Sequence, residues 1–182
     1  MEQQQPVNWP VGSHQGQPSE PQTDVTRTRP RLQPRSAASE ARHPLTIVAG
    51  ADEAVGLFVL GRIPEIAALP GGFSAIGVAR GGTLVGGCVY TNYVPAKGGG
   101  EIQMWAAGEG WLSRRTLRVL LGYPFGQLGC HRITAIVAKK NRRSRRLVEG
   151  LGFKLEGVAR EGMRPGVDAC IYSLLKRECR WV

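Results

Sequence analysis

The 182-residue sequence is poor in the side chains that metal sites, disulfide frameworks and histidine-dependent triads require. Of three histidines, His14 and His43 fall in an irregular N-terminal region, so a histidine triad and a metal site are both disfavoured. The four cysteines stand far apart, with no C-x-x-C pair: Cys88, Cys130, Cys170 and Cys179. This spacing predicts buried apolar thiols in a reducing compartment.

Long apolar runs are also missing. No segment reaches the roughly 18–20 apolar residues that a transmembrane helix needs. The opening residues, MEQQQPVNWP, are polar and contain no signal-peptide core. We therefore expect no membrane association and a cytoplasmic protein.

Acidic residues are absent between Glu109 and Glu149, a window that carries ten lysines or arginines. The charge of this window equals the net charge of the whole chain, +10 at pH 7. Three interpretations stay open: a solvated basic face, a site for the phosphates of a nucleotide cofactor, or a nucleic-acid footprint. Nucleic acid is the less favoured partner, because few aromatic residues lie nearby for base stacking.

Composition changes near residue 44. Residues 1–43 are rich in Gln, Pro, Ser, Thr and Arg and have almost no aliphatic side chains, so burial cannot offset the entropy of ordering. We predict a flexible, largely disordered extension over 1–43 and one folded domain over 44–182.

Apolar spacing beyond residue 44 predicts an α/β order of elements. The Gly81-Gly82 pair lies between apolar segments and indicates a hairpin. Pro64 and Pro124 are expected to break or bend the helices that contain them. Strands are predicted at 45–50, 73–80, 83–94, 101–107, 132–138, from Phe153 and at 167–179, with helices at 51–69, 111–129 and after Asn141. A hairpin first and crossover helices later predict a mixed sheet with helices on both faces.

The most informative pattern lies within residues 131–157. Residues 132–138 alternate as a buried strand does, Asn141 suits a helix N-cap, and Gly152 stands where a helix would end in a left-handed conformation. A helix N-terminus that carries Asn, Ser and Arg can bind an anion. A simple capping role for Asn141 is the alternative, and the two roles are compatible.

The spacing N-x-x-S-x-x-L-x-x-x-x-G-F from Asn141 to Phe153, followed by E-G, resembles the fourth helix and flanking strands of the GNAT superfamily of N-acetyltransferases. The resemblance covers roughly residues 45–180 and is nearest to the branch that acetylates the N-termini of ribosomal proteins. It implies a mixed, mostly antiparallel twisted sheet with a splayed central strand pair, and acetyl-CoA as donor. Residues 123–135 and 174–181 also resemble a tailed-bacteriophage and prophage subgroup, which implies the cytoplasm of an infected bacterium.

Gly108-Glu109-Gly110 lies between the fourth strand and the next helix, where backbone N–H groups can approach an anion. A tight turn alone is the alternative. In the resemblance this segment matches the pyrophosphate loop, although Ala107 and Leu112 replace the family's leading Arg or Gln and its final small residue. Arg114 or Arg115 is therefore expected to supply the positive charge that the loop lacks. Arg142, Arg145 and Arg146 are expected to face solvent or the acceptor.

Asn141 and Ser144 match the pair that lies beside the cofactor's arm and thiol in the ribosomal branch. Many GNAT enzymes place a tyrosine acid four residues after that serine, where Val148 stands here. Ser144 is therefore the catalytic candidate nearest the sulfur, with a serine that merely satisfies backbone donors as the alternative. The cofactor-binding residues that the resemblance implies are Trp105, Ala106, Gly108, Gly110, Trp111, Arg114, Arg115, Asn141 and Ser144.

Glu101 is the second catalytic candidate. In histone-type GNAT enzymes a glutamate on this strand deprotonates the amine, and E-I-x-x-W-A-A is a loose match to it. A salt bridge or strand-end solvation is the alternative. Without a strong base an α-amine is the better acceptor, since roughly one in ten such groups is neutral at pH 7 against roughly one in a thousand lysines.

Three functions are compatible with the sequence. The favoured one is acetyl transfer from acetyl-CoA to a primary amine, preferably the N-terminal α-amine of a protein. The others are a GNAT-shaped protein that binds CoA or a host partner without useful turnover, and a basic RNA-binding module. The resemblance places acceptor specificity in residues 62–72, 95–100 and 161–166, and the ending CRWV leaves a homodimer open.

Overall fold

The fold is known from a computed structural model that describes residues 43–182. The predicted extension over 1–43 lies outside these residues except for His43, so it stays a prediction. The elements in chain order are β1 (Leu45–Val48), α1 (Asp52–Leu60), β2 (Ser74–Arg80), β3 (Thr83–Val94), β4 (Glu101–Gly108), α2 (Arg114–Gly122), β5 (Arg132–Ala138), α3 (Arg142–Leu151), β6 (Lys154–Arg164) and β7 (Val167–Leu175). Within 43–182 no helix has the length and apolar character needed to span a bilayer.

Seven strands form one sheet in the order β1-β2-β3-β4-β5-β7-β6. Every neighbouring pair is antiparallel except β4 and β5, which run parallel. These two central strands pair only where residues 101–103 lie beside 132–134, and they separate beyond that point. The predicted mixed, mostly antiparallel sheet with a splayed central pair is confirmed.

Helices cover both faces of the sheet, as predicted. Neighbouring strand residues alternate between two apolar clusters, so Cys88 and Met104 pack with α2 and α3 while Val89 and Trp105 pack with α1. This is the period of two that a strand buried on both faces must show. The site described below lies where the central strands separate beneath α2 and α3.

Two helices are shorter than predicted, and proline explains both ends. Helix α1 stops at Leu60, well before residue 69. Pro64 has no N–H and disfavours helical geometry at Ile63, so residues 61–73 form an irregular loop. Helix α2 passes at Gly122 into a π-helical turn, Tyr123–Gln127, which contains Pro124.

The local signals around the turns are confirmed. Gly81 and Gly82 both have positive φ, +58° and +85°, as a tight hairpin between β2 and β3 requires. The side chain of Asn141 caps α3 by accepting a hydrogen bond from the Ser144 N–H at 3.0 Å. Gly152 ends that helix with φ of +106°.

A polar network on the sheet makes the stability of the fold depend on pH in the acidic range. Arg132 donates to the Glu156 carboxylate at 2.7 Å, and the Ser173 hydroxyl donates to the same group at 2.6 Å. The guanidinium and the hydroxyl lower the pKa of Glu156 to about 2.

A folded-state pKa below the unfolded value means that this contribution is complete above about pH 4.5 and is lost as pH falls toward 2. We expect Glu156→Gln to lower the melting temperature at pH 7 and to flatten its decline between pH 5 and 3. Thermal unfolding across that range measures both effects, with the exposed Glu53→Gln as control. Equal declines for wild type and Glu156→Gln would contradict the assignment.

Candidate active site

The separation of β4 and β5 opens a cleft beneath the N-terminus of α3. Since no described strand pairs with β4 on this side beyond Gln103, alternate N–H and C=O groups of residues 104–108 point into the cleft without a strand partner. A cavity of about 110 Å³ lies there. Its walls are residues 104–106 of β4, 135–138 of β5, and apolar side chains of α2 and α3.

A larger cavity of about 790 Å³ adjoins the first. Both are lined by Ala106, Trp111, Asn141 and Ser144, so these residues form the junction between them. The larger one extends over residues 108–110 and the first turn of α3. Its volume falls in the range of about 300–1,000 Å³ typical of small-molecule sites.

Most residues predicted to bind a cofactor meet at these cavities. The structure brings seven of the nine together: Trp105, Ala106, Gly108, Gly110, Trp111, Asn141 and Ser144. Arg114 and Arg115 are exposed on the first turn of α2 and line neither cavity. The residues that sequence reasoning placed on β4 and α3 therefore form one site, and the two α2 arginines stand apart from it.

Trp111 forms a fixed wall between the cavities and the core. It is only 4% exposed, and its indole packs on Gly86 and Gly108 of the neighbouring strands. A Cβ atom at Gly86 would collide with the Trp111 ring, and one at Gly108 would collide with the backbone of β3. Glycine at both positions therefore allows the large ring to reach this wall.

The turn after β4 is held by its own contacts. The Glu109 N–H donates to the Val85 carbonyl at 3.0 Å, and Arg80 donates to the Gly110 carbonyl at 2.6 Å. Ser113 and Thr116 form a reciprocal capping box at the start of α2. The turn is thus built without the family's usual leading Arg or Gln.

Different arginines from those predicted line the larger cavity. Arg143 and Arg146, on the first turns of α3, both contribute to its wall. Arg143 also pairs with Glu109 at 3.2 Å, although both side chains are more than 80% exposed. Arg146 is exposed, which fits the expectation that it faces solvent or the acceptor, and its side chain also adjoins the larger cavity.

Arg145 has a structural role that was not predicted. Its Nε donates to the Tyr172 hydroxyl at 3.0 Å, and its guanidinium also donates to the Lys139 carbonyl at 3.3 Å. Tyr172 in turn donates to Glu149 at 2.7 Å. These contacts hold α3 against β7 and leave Arg145 turned away from the cavities.

Ser144 carries the only hydroxyl among the described residues that line the two cavities. Its N–H is bonded to Asn141, whereas its hydroxyl has no hydrogen-bond partner within 43–182. Val148 lies one turn further along α3, lines the smaller cavity and packs against the core. The hydroxyl of Ser144 is thus the one available to donate a proton at the junction.

Cys88 lines the smaller cavity but does not supply a nucleophile. The residue is 2% exposed, and burial raises the pKa of its thiol to about 12. A thiol with that pKa stays protonated at neutral pH, and the thiolate is the nucleophilic form. A covalent route through this cysteine is therefore disfavoured.

Glu101 lies at the paired end of β4 and β5, away from the junction. One carboxylate oxygen accepts from Arg132 at 3.2 Å and from the Thr134 hydroxyl at 2.7 Å. Glu101 lines neither cavity. The structure does not bring it together with Ser144, and its contacts match the salt-bridge alternative.

Sequence reasoning missed Glu65, which lies in the loop after α1. Its side chain is only 9% exposed and lines both cavities. The loop over 62–72 had been expected to recognise the acceptor, but no periodicity or motif distinguishes this glutamate within it. Of the other two predicted acceptor segments, 161–166 contributes Met163 to the smaller cavity, and 95–100 contributes nothing to either lining.

Comparison with known proteins identifies the family. A family model for the acetyltransferase (GNAT) domain matches residues 21–154. The chain belongs to the GNAT acetyltransferase family. Its sequence is 34% identical over 109 residues to a protein of Bacillus subtilis (strain 168) named "Putative ribosomal N-acetyltransferase YdaF". The match spans 56% of this chain and 59% of the length of that relative.

Solved GNAT structures share the fold. A crystal structure described as "Probable acetyltransferase" has a TM-score of 0.57 and 22% identity, covering 75% of this chain and 95% of its own. Spermidine N-acetyltransferase from Vibrio cholerae, solved with CoA and spermine, has a TM-score of 0.56 and 18% identity, covering 74% and 96%. At these identities the likeness concerns the GNAT fold.

Proposed function

We propose that the protein is an acetyl-CoA-dependent N-acetyltransferase that acts on a primary amine. The observation that carries this proposal is the junction at Asn141 and Ser144. There the first turn of α3 lies beside the unpaired part of β4, between a narrow apolar cavity and a wide cavity bordered by arginines. GNAT acetyltransferases use acetyl-CoA, which supplies the thioester whose acetyl group is transferred.

The shapes of the two cavities suit that donor. The smaller one is lined almost entirely by apolar side chains and matches a thin, weakly polar arm. The larger one has Arg143 and Arg146 on its wall, and guanidinium groups bind phosphates well. The backbone N–H groups of Arg114 and Arg115 have no hydrogen-bond partner within the described residues. The N-terminus of α2 can therefore still attract a phosphate through these groups and through the helix dipole.

The reacting groups would be handled by the junction itself. N–H groups of β4 beyond Gln103 can donate to an oxygen that gains negative charge during acyl transfer. The Ser144 hydroxyl can donate a proton to the departing sulfur. Asn141 fixes the turn that presents Ser144, since its side chain accepts from the Ser144 N–H.

The preferred acceptor is the α-amine of a protein N-terminus. Support comes from the relative whose name specifies ribosomal N-acetylation, and from the larger neutral fraction of α-amines at pH 7. The polyamine acetyltransferase among the structural neighbours keeps small amines as a second acceptor class. A bacterial or phage-infected cytoplasm stays a prediction that rests on the sequence. A homodimer stays open, and nucleic-acid binding stays the less favoured alternative.

Transfer to defined amines tests the function. With acetyl-CoA at pH 7 we expect thiol release with a peptide whose only amine is its N-terminus. We expect kcat/KM for this peptide to exceed that for an Nα-blocked lysine peptide by about 10–100-fold, since the neutral fractions differ by roughly a hundredfold.

Two outcomes would reject the enzyme assignment. Calorimetric CoA binding without thiol release over peptides, lysine and spermidine would indicate a CoA-binding protein instead. Salt-sensitive RNA binding without CoA binding would indicate the nucleic-acid alternative.

A further inference from the structure

Glu65 has a largely buried side chain whose carboxylate lacks a hydrogen bond. Its side chain is 9% exposed, yet neither oxygen accepts a hydrogen bond from a residue in 43–182. Neither oxygen is sealed off within the protein, and the residue lines both cavities. The carboxylate therefore borders the space where the two cavities meet.

The cations around Glu65 do not satisfy it. Lys140 is the one paired with it, at 3.8 Å between Nζ and Oε1, which is beyond hydrogen-bond distance, and Lys140 is 62% exposed. Arg62, three residues before Glu65, also lines the larger cavity, but its guanidinium donates to the Phe58 carbonyl at 3.0 Å and lies 3.6 Å over the Phe58 ring. A largely buried carboxylate is stabilised by direct hydrogen bonds and a close positive charge, and the described residues supply neither at hydrogen-bond distance, so a cationic ligand can bind there.

We propose that Glu65 binds the ammonium group of the acceptor amine. This inference rests on the proposed acetyl transfer and names the residue that selects the acceptor. Glu65 and Ser144 line the same two cavities, so an amine held by Glu65 lies in the space that Ser144 borders. The loop that carries Glu65 connects α1 to β2.

Glu65 also provides a destination for the amine's proton. It is the only carboxylate among the described residues that line the smaller cavity. The ammonium gives one proton to this carboxylate, and the freed nitrogen lone pair forms the C–N bond. The second N–H proton leaves to solvent as the C–S bond breaks, and the departing sulfur takes the Ser144 hydroxyl proton. Solvent then reprotonates Ser144 and receives the proton held by Glu65, so one proton is released overall.

Lys140 then acts as a weak internal competitor for Glu65. An exposed lysine at 3.8 Å gives a modest interaction, because water screens it. Removing its charge leaves Glu65 without an ion-pair partner within 4.0 Å among the described residues and should make the site more attractive to an ammonium ligand. This gives the two partners of one ion pair opposite expected effects, which a purely structural pair would not show.

Charge and size at residue 65 can be separated with Glu65→Gln and Glu65→Ala, compared with Lys140→Ala. The probe is an alanine-initiated peptide without lysine, together with its Nα-acetylated form. We expect both Glu65 variants to raise the peptide's KM at least about tenfold, or ~1.4 kcal/mol. CoA affinity should stay within about threefold, and Lys140→Ala should lower the peptide's KM.

A binding measurement keeps the test independent of turnover. Calorimetry on the CoA-saturated protein should show that wild type prefers the free peptide over the acetylated one, and that Glu65→Gln abolishes this preference. The matched controls are Glu178→Gln and Lys154→Ala, which alter an ion pair of 2.9 Å that lines neither cavity. Both controls should behave as wild type.

Two results would overturn the inference: unchanged peptide KM and binding in Glu65→Gln, or equal weakening by Glu65→Gln and Lys140→Ala. The second result would show that the Glu65–Lys140 ion pair has only a structural role. Failure of the proposed function looks different, because wild type itself would bind CoA and release no thiol with any amine. In that case the calorimetric comparison of wild type with Glu65→Gln still decides the role of Glu65, and absence of a difference overturns it.

Discussion

Replacing Ser144 by alanine is expected to lower kcat for acetyl transfer by about 10²-fold while CoA affinity stays within a few-fold. General acid catalysis contributes about 10²–10⁴-fold, and a serine hydroxyl is a weak acid, which places the effect at the low end. No other hydroxyl among the described residues lines either cavity, and Val148, where the sequence resemblance would place a tyrosine acid, has none. The departing sulfur therefore has no second side-chain hydroxyl there.

Single-turnover kinetics of Ser144→Ala, with CoA affinity measured by calorimetry, separates catalysis from binding. Ser144→Thr should recover part of the rate, because it restores a hydroxyl at the same position. Ser173→Ala removes a buried hydroxyl that donates to Glu156 outside the site, so it should change stability and leave kcat unaltered. A kcat within twofold of wild type for Ser144→Ala would show that water protonates the sulfur.

The fold was predictable because its signals are local. Alternation marked the strands, Gly81-Gly82 marked a hairpin, and Asn141 with Gly152 marked both ends of α3. The end of α1 was not predictable to the same degree. Apolar residues continue beyond Leu60, but Ile63 and Leu69 pack against the second core cluster from a loop instead of a helix. A buried segment is similarly apolar whether it is a helix or a loop, so apolar content alone did not show where α1 ends.

The candidate site was predictable in part for the same reason. Asn141 and Ser144 are three residues apart in one capped turn, so their relation follows from the sequence. Glu65 reaches the site through a loop without periodic pattern, and only the tertiary fold places it there. Arg114 and Arg115 follow the glycine turn after only three residues, yet neither lines the larger cavity, whose wall includes Arg143 and Arg146.

The basic window illustrates how the fold redistributes charge. Its missing acids are supplied by other segments, which pair with four of its ten basic residues: Arg132 with Glu101 and Glu156, Lys139 with Asp168, Lys140 with Glu65, and Arg143 with Glu109. A fifth, Arg145, donates to the Tyr172 hydroxyl, which is itself bonded to Glu149. A continuous strip of uncompensated charge would favour nucleic acid. These pairs break the strip and disfavour that interpretation.

The remaining prediction decides which arginines bind the donor's phosphates. We expect Arg143→Ala with Arg146→Ala to weaken CoA binding by about 10–100-fold. Each charge-assisted hydrogen bond contributes about 1.5–3 kcal/mol, and exposure to solvent reduces that value for a surface pair. The double variant should also reduce the salt dependence of CoA affinity, because fewer charges then act on the phosphates.

The competing placement comes from the sequence, where Arg114 and Arg115 follow the glycine turn. Because neither side chain lines the larger cavity, we expect Arg114→Ala with Arg115→Ala to change CoA affinity by less than about threefold (~0.7 kcal/mol). Arg160→Ala with Arg164→Ala on β6 removes the same charge outside both cavities and serves as the matched control. Calorimetry at two salt concentrations compares the three pairs. A larger loss of CoA affinity from the α2 pair than from the α3 pair would contradict this assignment. It would show that the phosphates bind at the N-terminus of α2, beside the pyrophosphate loop that the sequence alone predicts.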